Sequence, residues 1–325
     1  MKVFVGFGSG FLILLLLLTL APRPISERLT TLHGDGLRLV EVYERIARDP
    51  RPIDIAFIGT SHTVTGIDDR GIEETLARAG VRANVANLGM VFRGRDMHLF
   101  LTKRLLASKT PQLIVLEVNE HEPPYGHLLM PYVASASDMF CCRFWADLNF
   151  SQMFLLFLKE QLYGTLSMLW PPAPLSAGPP HASEYGWDPI DRTWDAQTPH
   201  NPSLGDRLEN LVGGGPRAAA YKLASSFGNQ TVRQIVDLAH SSHVKIIFLY
   251  LPEYNYAADP RPENIRFYND MGPVLVPPQN VVANRLNWGD FAHLNKNGAV
   301  KLVPHLSAAI ADYLVGVHGA FPTKE

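Results

Sequence analysis

The sequence predicts an α/β fold, a parallel β-sheet covered by helices on both faces. Three observations point there. Ile53–Ile58, Gln112–Val118 ("QLIVLEV") and Val244–Leu251 ("VKIIFLYL") are short, nearly continuous apolar runs, as strands buried on both faces must be. They alternate with stretches whose apolar residues recur at helical spacing. Polar residues gather just behind the apolar runs, where open α/β sheets bind their ligands.

The chain begins with an element that is not part of a sheet. Val3–Leu20 ("VFVGFGSGFLILLLLLTL") carries no charge. As a helix rising about 1.5 Å per residue it would extend about 27 Å, close to the thickness of a hydrocarbon core. Residues 1–22 are therefore read as a transmembrane anchor. Thr19 and Ala21 resemble a signal-peptidase site, but Pro22 follows at once and disfavours cutting there; a cleaved signal peptide is the alternative. Lys2 lies before the run, and Arg23 and Arg28 behind it, so the positive-inside rule is nearly silent. An amino-terminal apolar segment acts as an export signal, which places the rest of a bacterial-type chain outside the cytoplasmic membrane, single-pass, facing the periplasm or the exterior.

Residues 23–50 form a linker with an amphipathic helix over Leu37–Arg48. Residues 51–122 are the first part of the core, with strands at Ile53–Ile58, Arg82–Ala86 and Gln112–Val118 and helices at Asp69–Ala79 and Asp96–Ala107. Residues 123–228 are an insertion, read as a helical and irregular cap over the carboxyl edge of the sheet. It contains Phe150–Trp170, long enough for a second span, but Lys159 and Glu160 at its centre argue for a core or cap helix. Pro171–Pro180 ("PPAPLSAGPP") is an irregular spacer, followed by a polar stretch with Trp187 and Trp194. Residues 229–317 complete the core with a helix at Thr231–Ala239, strands at Val244–Leu251 and Asn280–Ala283, and a closing helix at Lys296–Val315; 318–325 are a tail.

Composition excludes some functions. With 29 Lys and Arg against 31 Asp and Glu, the net charge of −2 offers no basic footprint for nucleic acid. Cys141 and Cys142, the only cysteines, are neighbours, which suits neither a disulfide framework nor a zinc site. No metal-ligand spacing such as His-Glu-x-x-His occurs, and no cofactor is expected.

The strand ends carry the residues that could do chemistry. Ser61 follows the first strand in "IGTSHT", Asn87-Leu-Gly89 follows the second, Asn119 follows the third in "LEVNEHE", and Asp290 and His293 precede the last helix in "NWGDFAHLNKNG". Each alone reads as an ordinary turn or cap. Together they fill the roles of acyl transfer: a nucleophile (Ser61), a base (His293), an acid that orients it (Asp290), and oxyanion donors from the N–H groups of Ser61 and Gly89 and the Asn119 amide. His62, adjacent to Ser61, is assigned to the pocket rim; Asn295 and Asn297 are assigned as helix caps. Glu120, His121 and Glu122 form a polar cluster beside the third strand.

In that order, Gly59-Thr-Ser61, Asn87-Leu-Gly89, Asn119 and Asp290-Phe-Ala-His293 resemble the four sequence blocks of the SGNH (GDSL-like) hydrolase superfamily. The resemblance spans about residues 53–121 and 243–316. It implies a flavodoxin-like three-layer α/β/α sandwich, with Ser61, Asp290 and His293 catalytic and Ser61, Gly89 and Asn119 lining the oxyanion hole. Two blocks depart from the pattern: Gly-Thr-Ser lacks the Asp of Gly-Asp-Ser, and Glu117-Val-Asn119-Glu120 replaces Gly-x-Asn-Asp. With an anchor in front, the chain looks like the envelope acyl-transfer branch, which includes the D-alanyl transfer protein of the teichoic-acid pathway and polysaccharide O-acetylation proteins. That implies a membrane-bound O-acyltransferase as partner and a cell-envelope glycan or glycolipid as acceptor. Asn87, Glu120 and Glu122 join His62 as pocket residues, either glutamate serving as counter-charge to a D-alanyl ammonium. An esterase using water as acceptor and a non-catalytic scaffold are the alternatives.

Overall fold

The computed structural model describes residues 10, 25–29, 32–119, 122, 125–135, 138–139, 149–169, 185–195, 216–254 and 262–316. The expected anchor (all but Gly10), Glu120, His121, Cys141, Cys142, the 171–180 spacer and the 318–325 tail lie outside the described residues. Among the described residues, no helix is long and apolar enough to cross a membrane.

The main elements are α1 (Leu37–Ala47), β1 (Ile55–Ile58), α2 (Ser61–Gly66), α3 (Asp69–Arg78), β2 (Val85–Asn87), α4 (Arg95–Ser108), β3 (Leu113–Val118), α5 (Phe150–Leu169), α6 (Pro216–Ser241), β4 (Lys245–Tyr250), α7 (Pro262–Asn269), β5 (Val274–Leu275) and α8 (Lys296–Val315). The five strands among the described residues form one parallel sheet in the order β2-β1-β3-β4-β5. In this doubly wound order the direction of winding reverses between β1 and β3, which opens a crevice beyond their carboxyl ends.

Alternating side chains along each strand feed two separate cores, the period of two that a pleated strand dictates. Ala56, Ile58, Ile114, Leu116, Ile246 and Phe248 pack on one face with Leu39 and Val42 of α1, Met97 and Leu101 of α4, and Val232 and Ile235 of α6. Ile55, Phe57, Val115, Ile247 and Leu249 pack on the other face with Ile72 and Leu76 of α3, Trp288, and Leu302, Leu306 and Ile310 of α8. The result is three layers, helix, sheet and helix. The expected linker helix is thus part of a layer. The apolar run at Phe150 is α5, whose Met153 and Phe157 join the first core.

One expected strand is not there. Asn280–Ala283 lies in and just after a helical turn, Gln279–Val282, with Pro278 at its N-cap, and the fifth strand is Val274–Leu275. The Val-Val pair suits a strand by propensity, but the Pro277-Pro278 step interrupts the ladder first, since proline has no N–H to give it. Asn295 caps α8 as expected, accepting the Gly298 N–H at 3.0 Å. Asn297 does not; its amide donates to Asn287 Oδ1 at 2.9 Å. At the rim of the sheet, the outward N–H groups of β2 donate to carboxylates of α3: Val85 to Glu73 and Asn87 to Asp69, both at 2.9 Å.

Candidate active site

The chain leaves β1 through Gly59 and enters α2 at Ser61. Thr60 is the N-cap, its hydroxyl accepting the His62 N–H at 3.3 Å. Gly59 has to be glycine, because a Cβ there would run into the Thr63 hydroxyl and the Glu117 carboxylate. As the first residue of the helix, Ser61 has a backbone N–H with no intrahelical acceptor.

The turn before α8 faces it. Asp290 Oδ1 accepts the backbone N–H groups of Ala292 at 2.9 Å and His293 at 2.8 Å, folding the Asp-x-x-His stretch so that both side chains point the same way. His293 Nδ1 lies 2.9 and 3.0 Å from the two Asp290 oxygens, and its Nε2 lies 2.8 Å from Ser61 Oγ. Facing a carboxylate, Nδ1 carries the proton, which leaves Nε2 to accept from the serine hydroxyl. Burial pushes the Asp290 carboxyl up, but hydrogen bonds and charge from His293 and the Ala292 N–H outweigh it and hold the carboxyl at about 2.

His62 stands edge-on to His293, ring centroids 5.3 Å apart at 86°. Its Nδ1 donates to the Leu251 carbonyl at 3.1 Å, and burial, against the pull of Glu117, pushes its imidazole down to about 4. A neutral ring so tethered is a wall of the site.

The second block is built differently from expectation. The Asn87 amide donates to the carbonyls of Thr63 at 2.8 Å and Ile67 at 2.9 Å, tying off the end of α2. Its Oδ1 accepts the Gly89 N–H at 3.0 Å. The Gly89 donor is therefore already engaged, which counts against its place in an oxyanion hole, and Asn87 is a structural brace. Arg38 of α1 holds the same turn from the other side, donating to the carbonyls of Asn87 and Gly89 at 2.9 Å each.

Asn119 is buried just past the end of β3, and its side-chain Nδ2 has no hydrogen-bond partner among the described residues. Its backbone N–H donates to the Tyr268 hydroxyl at 3.3 Å. That hydroxyl also accepts from Arg95 at 2.7 Å and donates to Glu122 at 2.8 Å, while Arg95 pairs with Glu122 at 2.9 Å and reaches the Glu117 carbonyl at 2.8 Å. Glu122 is thus committed to a buried cation and is not a free counter-charge in the pocket, contrary to the sequence expectation.

A described segment of the insertion, residues 185–195, borders the site as a strap. Trp187 Nε1 donates to the Thr65 carbonyl at 2.8 Å, the Asp188 N–H to Val64 at 3.2 Å, and the Trp194 N–H to Trp288 at 2.7 Å. Trp194, Tyr254 and Trp288 meet edge to face, so these aromatics anchor loops. Among the described residues, no three His, Cys, Asp or Glu side chains gather as a metal site.

Comparison with protein-family models, curated proteins and solved structures finds no match to this chain. The site speaks through its own geometry. A hydroxyl, an imidazole and a carboxylate in hydrogen-bonded series allow the imidazole to take the hydroxyl proton while the carboxylate stabilises the resulting imidazolium. Sequence reasoning missed Arg38, Arg95 and Tyr268. Only Glu117, a charge in the wholly buried strand "LIVLEV", left a visible signal, because a buried carboxylate requires partners.

Proposed function

We propose that the chain is a serine acyltransferase of the bacterial cell envelope, anchored by residues 1–22 in the cytoplasmic membrane with its α/β domain outside. It moves a small acyl group, acetyl or D-alanyl, through a Ser61 acyl-enzyme to a hydroxyl of an envelope glycan or glycolipid. The observation that carries this reading is the series Ser61 Oγ to His293 Nε2 at 2.8 Å and His293 Nδ1 to Asp290 at 2.9 Å. The SGNH-like order of the blocks and the apolar run in front support the transfer reaction and the location; that resemblance is also what brings in a membrane-bound O-acyltransferase as the donor-side partner.

In the first half-reaction Ser61 Oγ gives its proton to His293 Nε2 and bonds to the acyl carbon. The carbonyl oxygen, now negative, is met by the Asn119 amide and the Ser61 N–H. The bond to the leaving group breaks as that group takes the proton from His293. In the second half-reaction an acceptor hydroxyl gives its proton to His293 and attacks the acyl carbon, and the bond to Ser61 Oγ breaks as that oxygen takes the proton back from His293. Water in place of the glycan makes the same cycle an ester hydrolysis.

Intact-mass spectrometry of the full-length protein in detergent after exposure to a small fluorophosphonate tests the reading. A single adduct on the wild type, absent from Ser61→Ala and slowed in His293→Ala, is the expected result. A wild type that stays unmodified beside a labelled control hydrolase would overturn it and leave a binding scaffold. Partition of an acetyl ester between a glycan acceptor and water then separates transfer from hydrolysis.

A further inference from the structure

We infer that Glu117 is the positioning residue that sets Ser61, and that it does so from the same strand end that carries Asn119. The inference rests on the reading of Ser61 as nucleophile. Glu117 is 3% exposed, within a strand buried along its whole length. Among the described residues no Lys or Arg side chain pairs with its carboxylate; Arg95 takes its backbone carbonyl instead. The nearest ring nitrogen, His62 Nδ1, is 4.0 Å away on an imidazole that burial keeps neutral.

What the carboxylate does hold is the turn that presents the serine. Oε2 accepts the Thr60 N–H at 2.7 Å and the Thr63 hydroxyl at 2.5 Å, and Oε1 accepts the Thr60 hydroxyl at 2.6 Å. Hydrogen bonds to an ionised acceptor are shorter and stronger than neutral ones. They grip the residue before Ser61 and a residue in the first turn after it. Gly59 supplies the space, since any side chain there would meet the carboxylate. Asn119 follows Glu117 by two residues, just past the end of β3. One strand end thereby holds the turn of the nucleophile and leads directly into Asn119. The carboxylate that holds the Gly-Thr-Ser turn thus comes from the neighbouring strand β3.

The test uses full-length protein and four variants: Ser61→Ala, Glu117→Asp, Thr63→Val and Thr63→Ser. Glu117→Asp keeps the charge and withdraws it by one methylene; Thr63→Val removes one donor at constant shape, and Thr63→Ser restores it. Labelling of Ser61 and turnover of a small acetyl ester should fall roughly 10- to 100-fold in Glu117→Asp, the scale of a displacement of about 1 Å at a reacting group. The loss should appear in kcat with KM unchanged. Thr63→Val should lose roughly 10-fold, and Thr63→Ser should recover it. Amide exchange of a peptide covering residues 59–66 should rise in Glu117→Asp and Thr63→Val. If the wild type labels and these variants match it within twofold, the positioning role is overturned while the acyl-enzyme stands. If the wild type does not label, the acyl-enzyme falls, and exchange alone decides: faster exchange at 59–66 supports the grip on the turn, and unchanged exchange removes it.

Discussion

Arg38 Nε lies 2.9 Å from the Gly89 carbonyl oxygen, so a helix that precedes the first strand of the sheet holds a turn at the edge of the candidate site. With Nη2 on the Asn87 carbonyl, the guanidinium closes a two-point clamp that a lysine cannot reproduce. Arg38→Lys should lower stability by about 1.5–3 kcal/mol, the range for a hydrogen bond to a charged group. Labelling of Ser61 should slow as well, because the Asn87 amide braces the end of α2. Chemical denaturation and fluorophosphonate kinetics on the same preparation check both.

Asn119 presents a buried amide nitrogen with no hydrogen-bond partner among the described residues. A donor left unsatisfied costs stability in the resting protein, and a negative oxygen that takes its hydrogen bond in the transition state turns that cost into a lower barrier. Asn119→Ala should therefore reduce ester turnover by roughly 10²- to 10³-fold, the usual cost of an oxyanion donor. Its thermal midpoint should be undiminished. A variant that loses stability while keeping its rate would remove Asn119 from the chemistry.

Asp290 orients His293. Asp290→Asn should cut kcat by up to roughly 10⁴-fold by favouring the wrong imidazole tautomer. It should also change the acid limb of stability. The folded carboxyl, at about 2, sits below its ordinary value of 3.8, so its contribution is complete above the ordinary value and is lost as pH falls toward 2. Acid unfolding of Asp290→Asn should lack that portion of the slope between about pH 4 and pH 2.

His127 is a second pH-dependent element. Its Nε2 donates to the Val91 carbonyl at 2.7 Å and its Nδ1 accepts the Leu129 N–H at 3.1 Å, an arrangement only the neutral ring can make. Burial pushes it down to about 4 from 6.5, as burial also does to His62. The unfolded chain binds these protons first, so stability is full above pH 6.5 and declines as pH falls toward 4. Each histidine should contribute up to about 1.4 kcal/mol per pH unit to that slope. His127→Gln should reduce the slope in urea titrations run between those limits.

The sheet and the Asp290–His293 pair are legible because they rest on local rules, whereas Ser61, 232 residues from His293, joins them only through its place at a strand end and the order of the blocks. Three apolar runs fell on β1, β3 and β4, the α8 boundaries matched at Lys296 and Val315, and a three-residue spacing at a helix entrance brought Asp290 to His293. The remainder depends on partners far apart in the chain. Arg38 and Gly89 are 51 residues apart, Thr60 and Glu117 57, and Glu122 and Tyr268 146, and no periodicity links such pairs. For the same reason the sequence does not show that Asn87 holds the Gly89 N–H or that Arg95 claims Glu122. At Asn280–Ala283, β propensity lost to the proline step in front of it.

The bonds from Val85 and Asn87 to the carboxylates of α3 reach beyond the site. Among the described residues β2 is the outermost strand on its side, and such a rim is ordinarily a template on which another chain's strand can grow. Here its outward N–H groups are spent on Glu73 and Asp69, and the Asn87 carbonyl is spent on Arg38. The sheet is thereby sealed on that flank against strand addition and edge-to-edge aggregation.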